Sequence, residues 1–96
     1  MKQGEALAVL SAHKRSLEEF RVKSLMIFGS VARDEATSDS DVDLLVEFEK
    51  PIGLLAFVRL QRYLEALLGC AVDLGTPNSL RSEVRDVVLK EAVRVF

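Results

Sequence analysis

Cysteine is nearly absent from this 96-residue chain; Cys70 stands alone. One thiol excludes an internal disulfide and a cysteine-rich zinc site. Its apolar surroundings read as a strand, where cysteine is usually a buried, inert residue. Histidine is equally scarce. His13 falls on the polar side of a helical pattern and has no nucleophile paired with it, so it reads as a solvated residue. Positive charge is not in excess either. Thirteen Lys and Arg face fifteen Asp and Glu, for a net charge of −2, which excludes a stand-alone electrostatic nucleic-acid binder. Apolar runs fall short of a membrane span, and Met1-Lys2-Gln3-Gly4 opens no signal peptide. Those two features predict a cytoplasmic protein without a membrane role. Neither a phosphate-loop Gly-Lys-Ser/Thr nor a Gly-x-Gly-x-x-Gly occurs.

What is present is a single domain, residues 1–96, with 49% apolar residues for a modest core. The spacing of Leu7, Leu10, Leu17 and Phe20 predicts a first helix over Glu5 to Phe20. Ser24 to Phe28 reads as a short buried strand ended by Gly29, and Val31 to Glu35 as a short helix. Asp41 to Phe48 reads as a second strand. Its Val42, Leu44, Val46 and Phe48 form one face; Asp41, Asp43, Leu45 and Glu47 form the other. Pro51-Ile52-Gly53 breaks the chain. A long helix over Leu54 to Leu68 follows, with Phe57, Val58, Leu64 and Leu68 on one face and Gly69 as its cap. Cys70 to Leu74 is a third strand and Leu80 to Glu91 a last helix, after which Val93, Val95 and Phe96 supply an edge strand or dock on the sheet. Helix, strand, strand, helix, strand, helix predicts an α/β (α+β) sandwich.

The acids interrupt this scaffold. Two carboxylates two residues apart on a strand can aim at one point. Half-buried carboxylates are costly unless paired or bound to metal. A short loop upstream, Gly29-Ser30 marks a strand-to-helix turn. Glycine lets the backbone approach a ligand, serine offers a hydroxyl, and free N–H groups at a helix start favour phosphate. Arg33, one turn on, offers a guanidinium to phosphate oxygens. Asp39-Ser40-Asp41-Val42-Asp43 also imitates the start of a calcium loop. Leu44 at its sixth position and Lys50 at its twelfth exclude that reading, and Asp39 is taken as a turn-capping acid.

Phe28-Gly29-Ser30-Val31-Ala32-Arg33 through Ser40-Asp41-Val42-Asp43-Leu44-Leu45-Val46 resembles the signature of the nucleotidyltransferases related to DNA polymerase beta, in the short form of the minimal nucleotidyltransferase family. The resemblance covers nearly the whole chain and implies that family's fold: a small mixed sheet with helices packed against it. It implies Asp41, Asp43 and a third acid, Asp73, as metal-binding and catalytic residues for Mg²⁺, two ions with ATP as substrate. It implies Gly29, Ser30, Arg33 and Ser40 as the nucleotide-binding group. The family has glycine after the arginine; here Asp34 takes that place. The implied reaction moves AMP onto an acceptor hydroxyl with release of pyrophosphate. The implied partner is a helical HEPN-domain toxin, with this chain as its antitoxin. A binding antitoxin that acts by contact alone is the alternative, and transfer to a small molecule such as an aminoglycoside is a weaker one.

Overall fold

The computed structural model describes residues 1–37 and 40–96; Asp39, read above as a turn-capping acid, lies outside the described residues. The described chain runs α1 (Gln3–Ala12), α2 (Lys14–Glu19), β1 (Val22–Phe28), α3 (Gly29–Ala32), β2 (Val42–Phe48), α4 (Leu54–Leu68), β3 (Val72–Gly75), a 3₁₀ turn (Pro77–Ser79), α5 (Ser82–Glu91) and β4 (Val93–Arg94). The four strands form one sheet in the order β3-β2-β1-β4. β1 pairs antiparallel with both β2 and β4, whereas β2 and β3 run parallel, joined by the α4 crossover.

One face of the sheet is apolar and covered. Leu25, Ile27, Leu44 and Val46 are buried there with Val72 and Leu74, against Ala6, Leu10, Leu17, Leu60, Leu64 and Leu68 of the helices. Burying each leucine contributes about 2 kcal/mol, so this layer carries most of the stability. α4 follows its predicted bounds and ends at Gly69 in the left-handed region, φ 71°. Its buried stripe runs through Leu60, two residues on from the expected Val58, because the spacing 57-60-64-68 tracks the helix better.

Several expectations are revised by local physics. The first helix is interrupted at His13, which closes α1 and opens α2. Its Nδ1 lies 2.8 Å from the Val9 carbonyl oxygen, so this half-buried ring holds a helix end and is not simply solvated. β1 begins earlier than expected, at Val22, with a bulge between Val22 and Ser24. Cys70 is half-buried in the turn after Gly69, because β3 starts only at Val72. The last helix starts at Ser82, after the Thr76–Ser79 turn in which the Ser79 hydroxyl donates to the Thr76 carbonyl at 2.7 Å. The C-terminal residues do add the edge strand: β4 pairs with Met26 and Ile27, and Val95 N–H donates to Leu25 O at 2.8 Å. At the opposite edge, α4 satisfies β3. Gln61 Nε2 donates to Val72 O at 3.0 Å, and Val72 N–H donates to Glu65 Oε2 at 3.1 Å. Among the described residues no helix is long and apolar enough to cross a membrane.

Candidate active site

Strand alternation sends Asp43 to the face opposite the core. There it stands level with Phe28 on β1 and with Asp73 on β3. The same face carries Leu45, level with Gly75, under the Thr76–Ser79 turn. Leu45 is 1% exposed yet lies outside the main core cluster, so it is buried on the face that carries the acids.

Asp43 is half-buried, while Asp73 and Asp41 are exposed. Burial pushes the Asp43 carboxyl above its ordinary range; the negative charges of Asp73 and then Asp41 push it further the same way. Hydrogen bonding with Asp73 acts in the same direction, and the Arg33 charge opposes the shift. The three acids therefore sense one another, but they do not converge equally. Among the described residues no three potential ligand groups form a ready metal cluster. The charge coupling and the missing cluster are reconciled by the backbone. Asp43 and Asp73 share a strand register, whereas β2 begins at Val42, so alternation does not govern where Asp41 points.

Gly29 is the second element. Its φ is +70°, and a Cβ built there would overlap Asp43 Oδ2 and stand 3.1 Å from Asp43 Cγ. Both the backbone conformation and the contact therefore demand glycine. α3 starts at Gly29, two residues before the expected Val31, so the turn and the helix are one unit. Ser30 is its half-buried second residue, and its carbonyl accepts from Glu35 N–H at 2.8 Å. Ser40 sits just before the acids. Its Oγ accepts from Thr37 N–H at 3.0 Å, and its own N–H donates to Thr37 O at 3.1 Å, which closes the loop ahead of β2.

Arg33 is not free. Its Nε lies 3.1 Å from Glu35 Oε2, and its Nη1 lies 3.3 Å from Glu91 Oε2. The Glu35 hydrogen bond is the main reason its pKa rises above the usual guanidinium value. Both glutamates escape a reading of the sequence: Glu91 is 58 positions away, and only the return of α5 toward α3 brings it to Arg33. Asp34, in place of the family glycine, has φ 58°. Aspartate tolerates this left-handed conformation better than most residues, so the backbone that glycine would favour is kept. Its carboxylate does not face the acids; Oδ1 accepts from Gln3 N–H at 2.9 Å.

Asp43 and Asp73, level on adjacent strands, offer carboxylate oxygens of the kind a divalent cation takes. A half-buried carboxylate whose pKa is raised by burial and by two like charges would be stabilised by a cation that neutralises it.

The family model of the nucleotidyltransferase domain matches residues 10–95. The chain belongs to this nucleotidyltransferase family. Nucleotidyl transfer is accordingly its activity class. The protein adenylyltransferase MntA of Thermococcus cleftensis is 50% identical over 92 residues, covering 95% of this chain and 93% of that protein. A solved structure provisionally assigned as a minimal nucleotidyltransferase is 41% identical, with TM-score 0.75, covering 97% of this nucleotidyltransferase and 95% of the other chain. A solved toxin–antitoxin complex with AMP-PNP superposes with TM-score 0.72 at 17% identity, over all of this chain and 73% of the other. That last likeness is one of fold.

Proposed function

We propose that this nucleotidyltransferase moves AMP from ATP onto a hydroxyl of a partner protein, a helical HEPN-type toxin, in a cytoplasmic toxin–antitoxin pair. The observation that supports it most is the approach of Gly29 to Asp43, with Asp73 level on the next strand. Protein as the acceptor follows the adenylyltransferase relative at 50% identity. The toxin follows a fold neighbour, a solved complex of tri-AMPylated Shewanella oneidensis HEPN toxin with MNT antitoxin.

Asp43 and Asp73 would hold Mg²⁺, with Asp41 swinging in from the loop as a third carboxylate. Bound there, the metal would neutralise phosphate charge and lower the pKa of the attacking hydroxyl. Gly29 leaves room for triphosphate beside Asp43, and Ser30 offers its hydroxyl to a phosphate oxygen. Arg33 would exchange Glu35 and Glu91 for phosphate, keeping charge-assisted bonds throughout. Ser40 holds the loop that presents Asp41. Asp73, exposed beside the incoming acceptor, would take the hydroxyl proton at a carboxylate oxygen. The acceptor oxygen then bonds to the α-phosphorus, the bond to the bridging oxygen breaks, and pyrophosphate leaves.

Co-expression with the toxin followed by mass spectrometry tests this reading. The expected result is a toxin bearing added AMP with the wild-type chain and none with Asp43→Asn. An unmodified toxin in both cases would overturn it. The engagement of Arg33 by two carboxylates favours one other reading, neutralisation of the toxin by contact alone. Under that reading Asp43→Asn would still protect cells that express the toxin.

A further inference from the structure

One group at each of two helix ends in this fold is satisfied from outside its own helix: Gln3 N–H at the start of α1 and Ala32 O at the end of α3. α1 begins at Gln3, and its N-cap residue, Lys2, makes no side-chain capping bond. The first N–H groups of a helix need acceptors from outside, and its last carbonyls need donors. α3 is only four residues long, too short to be stable by itself, and it carries the Gly29-Ser30 turn. The structure satisfies each end with the other. Asp34 Oδ1 accepts from Gln3 N–H at 2.9 Å, and Gln3 Nε2 donates to Ala32 O at 2.7 Å. Asp34 reaches Gln3 because its left-handed φ of 58° turns the chain there, directly after Arg33 N–H has bonded to Gly29 O at 3.2 Å and as Asp34 N–H bonds to Val31 O at 3.1 Å.

We infer that Gln3 and Asp34 form a bracket between α1 and α3 that positions the Gly29–Ser30 turn for nucleotide phosphate. Both are positioning residues, since neither side chain contacts the acids. The inference rests on the nucleotide reading above and extends it. Replacing a mobile glycine with Asp34 exchanges local freedom for a long-range anchor, so the turn is held in shape before ligand arrives. Preorganisation of this kind strengthens binding by cutting the ordering cost.

The test compares Gln3→Pro, Asp34→Gly and Asp34→Asn with the wild-type chain. Proline fits the first turn of a helix and removes both donors of Gln3 together; Lys2, at φ −87° and ψ 155°, already has the extended backbone a following proline needs. Asp34→Gly keeps the left-handed backbone and removes the acceptor, whereas Asp34→Asn keeps both. Three readouts are taken: amide exchange without nucleotide, ATP affinity by titration in Mg²⁺, and thermal midpoint. Gln3→Pro and Asp34→Gly should speed exchange at Arg33, Asp34 and Glu35 about fivefold and weaken ATP binding by about three- to fivefold, with Asp34→Asn near wild type. Unchanged exchange at those amides overturns the bracket. Faster exchange with unchanged ATP affinity overturns its positioning role, as does a uniform rise in exchange with a lower midpoint. A wild-type chain that binds no ATP overturns the nucleotide reading and the positioning role together. That failure is told apart from the bracket's own, which the nucleotide-free exchange reports.

Discussion

The two faces of the sheet are built from the same strands and obey opposite rules. On the inner face, Leu25, Ile27, Leu44 and Val46 are at most 1% exposed and belong to the apolar core cluster. On the outer face the same alternation presents Asp43 and Asp73 at one level, one step from buried Leu45 and Gly75. The inner face lowers the free energy of the fold. The outer face raises it, because a carboxylate withdrawn from water beside two others disfavours its own ionised form. Under the proposed function, a cation held by these acids would offset that cost. The contrast separates residues that stabilise the fold from the acids that the proposed reaction would use.

Changes at the acids should break the comparison most sharply. Asp43→Asn is expected to lower AMP transfer by at least about a thousandfold, read by mass spectrometry of the toxin, while the fold persists. Wild-type transfer by that variant would place the chemistry elsewhere. Next in size is the inner face. Leu44→Ala should cost about 3 kcal/mol of stability in urea unfolding with the outer-face geometry unaltered, because it leaves a cavity under a covered layer. A loss below about 1 kcal/mol would mean that this layer is loosely packed. Gly29→Ala lies between the two faces in kind. It should destabilise by about 1–3 kcal/mol and weaken nucleotide binding, since a Cβ there meets both an unfavourable φ and the Asp43 carboxylate.

Smaller effects sharpen the contrast. The raised pKa of Asp43 carries a definite sign. The native state binds its proton more tightly than the unfolded chain does, so this group favours folding below the unfolded carboxylate pKa. That contribution is lost as pH rises through the higher native value. In metal-free buffer Asp43→Asn should therefore raise the midpoint at neutral pH by about 2–5 °C and leave it nearly unchanged at pH 3. A lower midpoint at neutral pH would show that the ionised acid stabilises the fold. Smallest is the Arg33 cluster. Glu91→Gln should leave the thermal midpoint unchanged, because exposed ion pairs contribute little. It should tighten ATP binding modestly by releasing Arg33; weaker binding would show that Glu91 aims the guanidinium and does not compete for it.

The acids, the Gly-Ser turn and the long α4 were legible in the chain because each is a local signal. They are a spacing of two, a strand-ending glycine, and a 3.6-residue period with a glycine cap. Reading Asp73 depended on likeness to a family, since one acid in a four-residue strand has no local meaning. The break at His13 was illegible because a ring bonding back to Val9 leaves no trace in periodicity. Asp34 was legible as a departure from glycine, but its effect was not. The added charge lies against the start of α1 instead of beside the acids.

By itself the sequence determined the order of the main helices and strands, the apolar and acidic faces of β2, and the family to which the chain belongs, because alternation and motif order are written in consecutive residues. The tertiary structure alone decided four things. Asp73 stands level with Asp43, the Asp43 carboxylate occupies the space a side chain at Gly29 would need, Glu91 holds Arg33, and Gln3 meets Asp34. Each of these joins residues distant in the chain, and only strand register and helix docking fix the space between them.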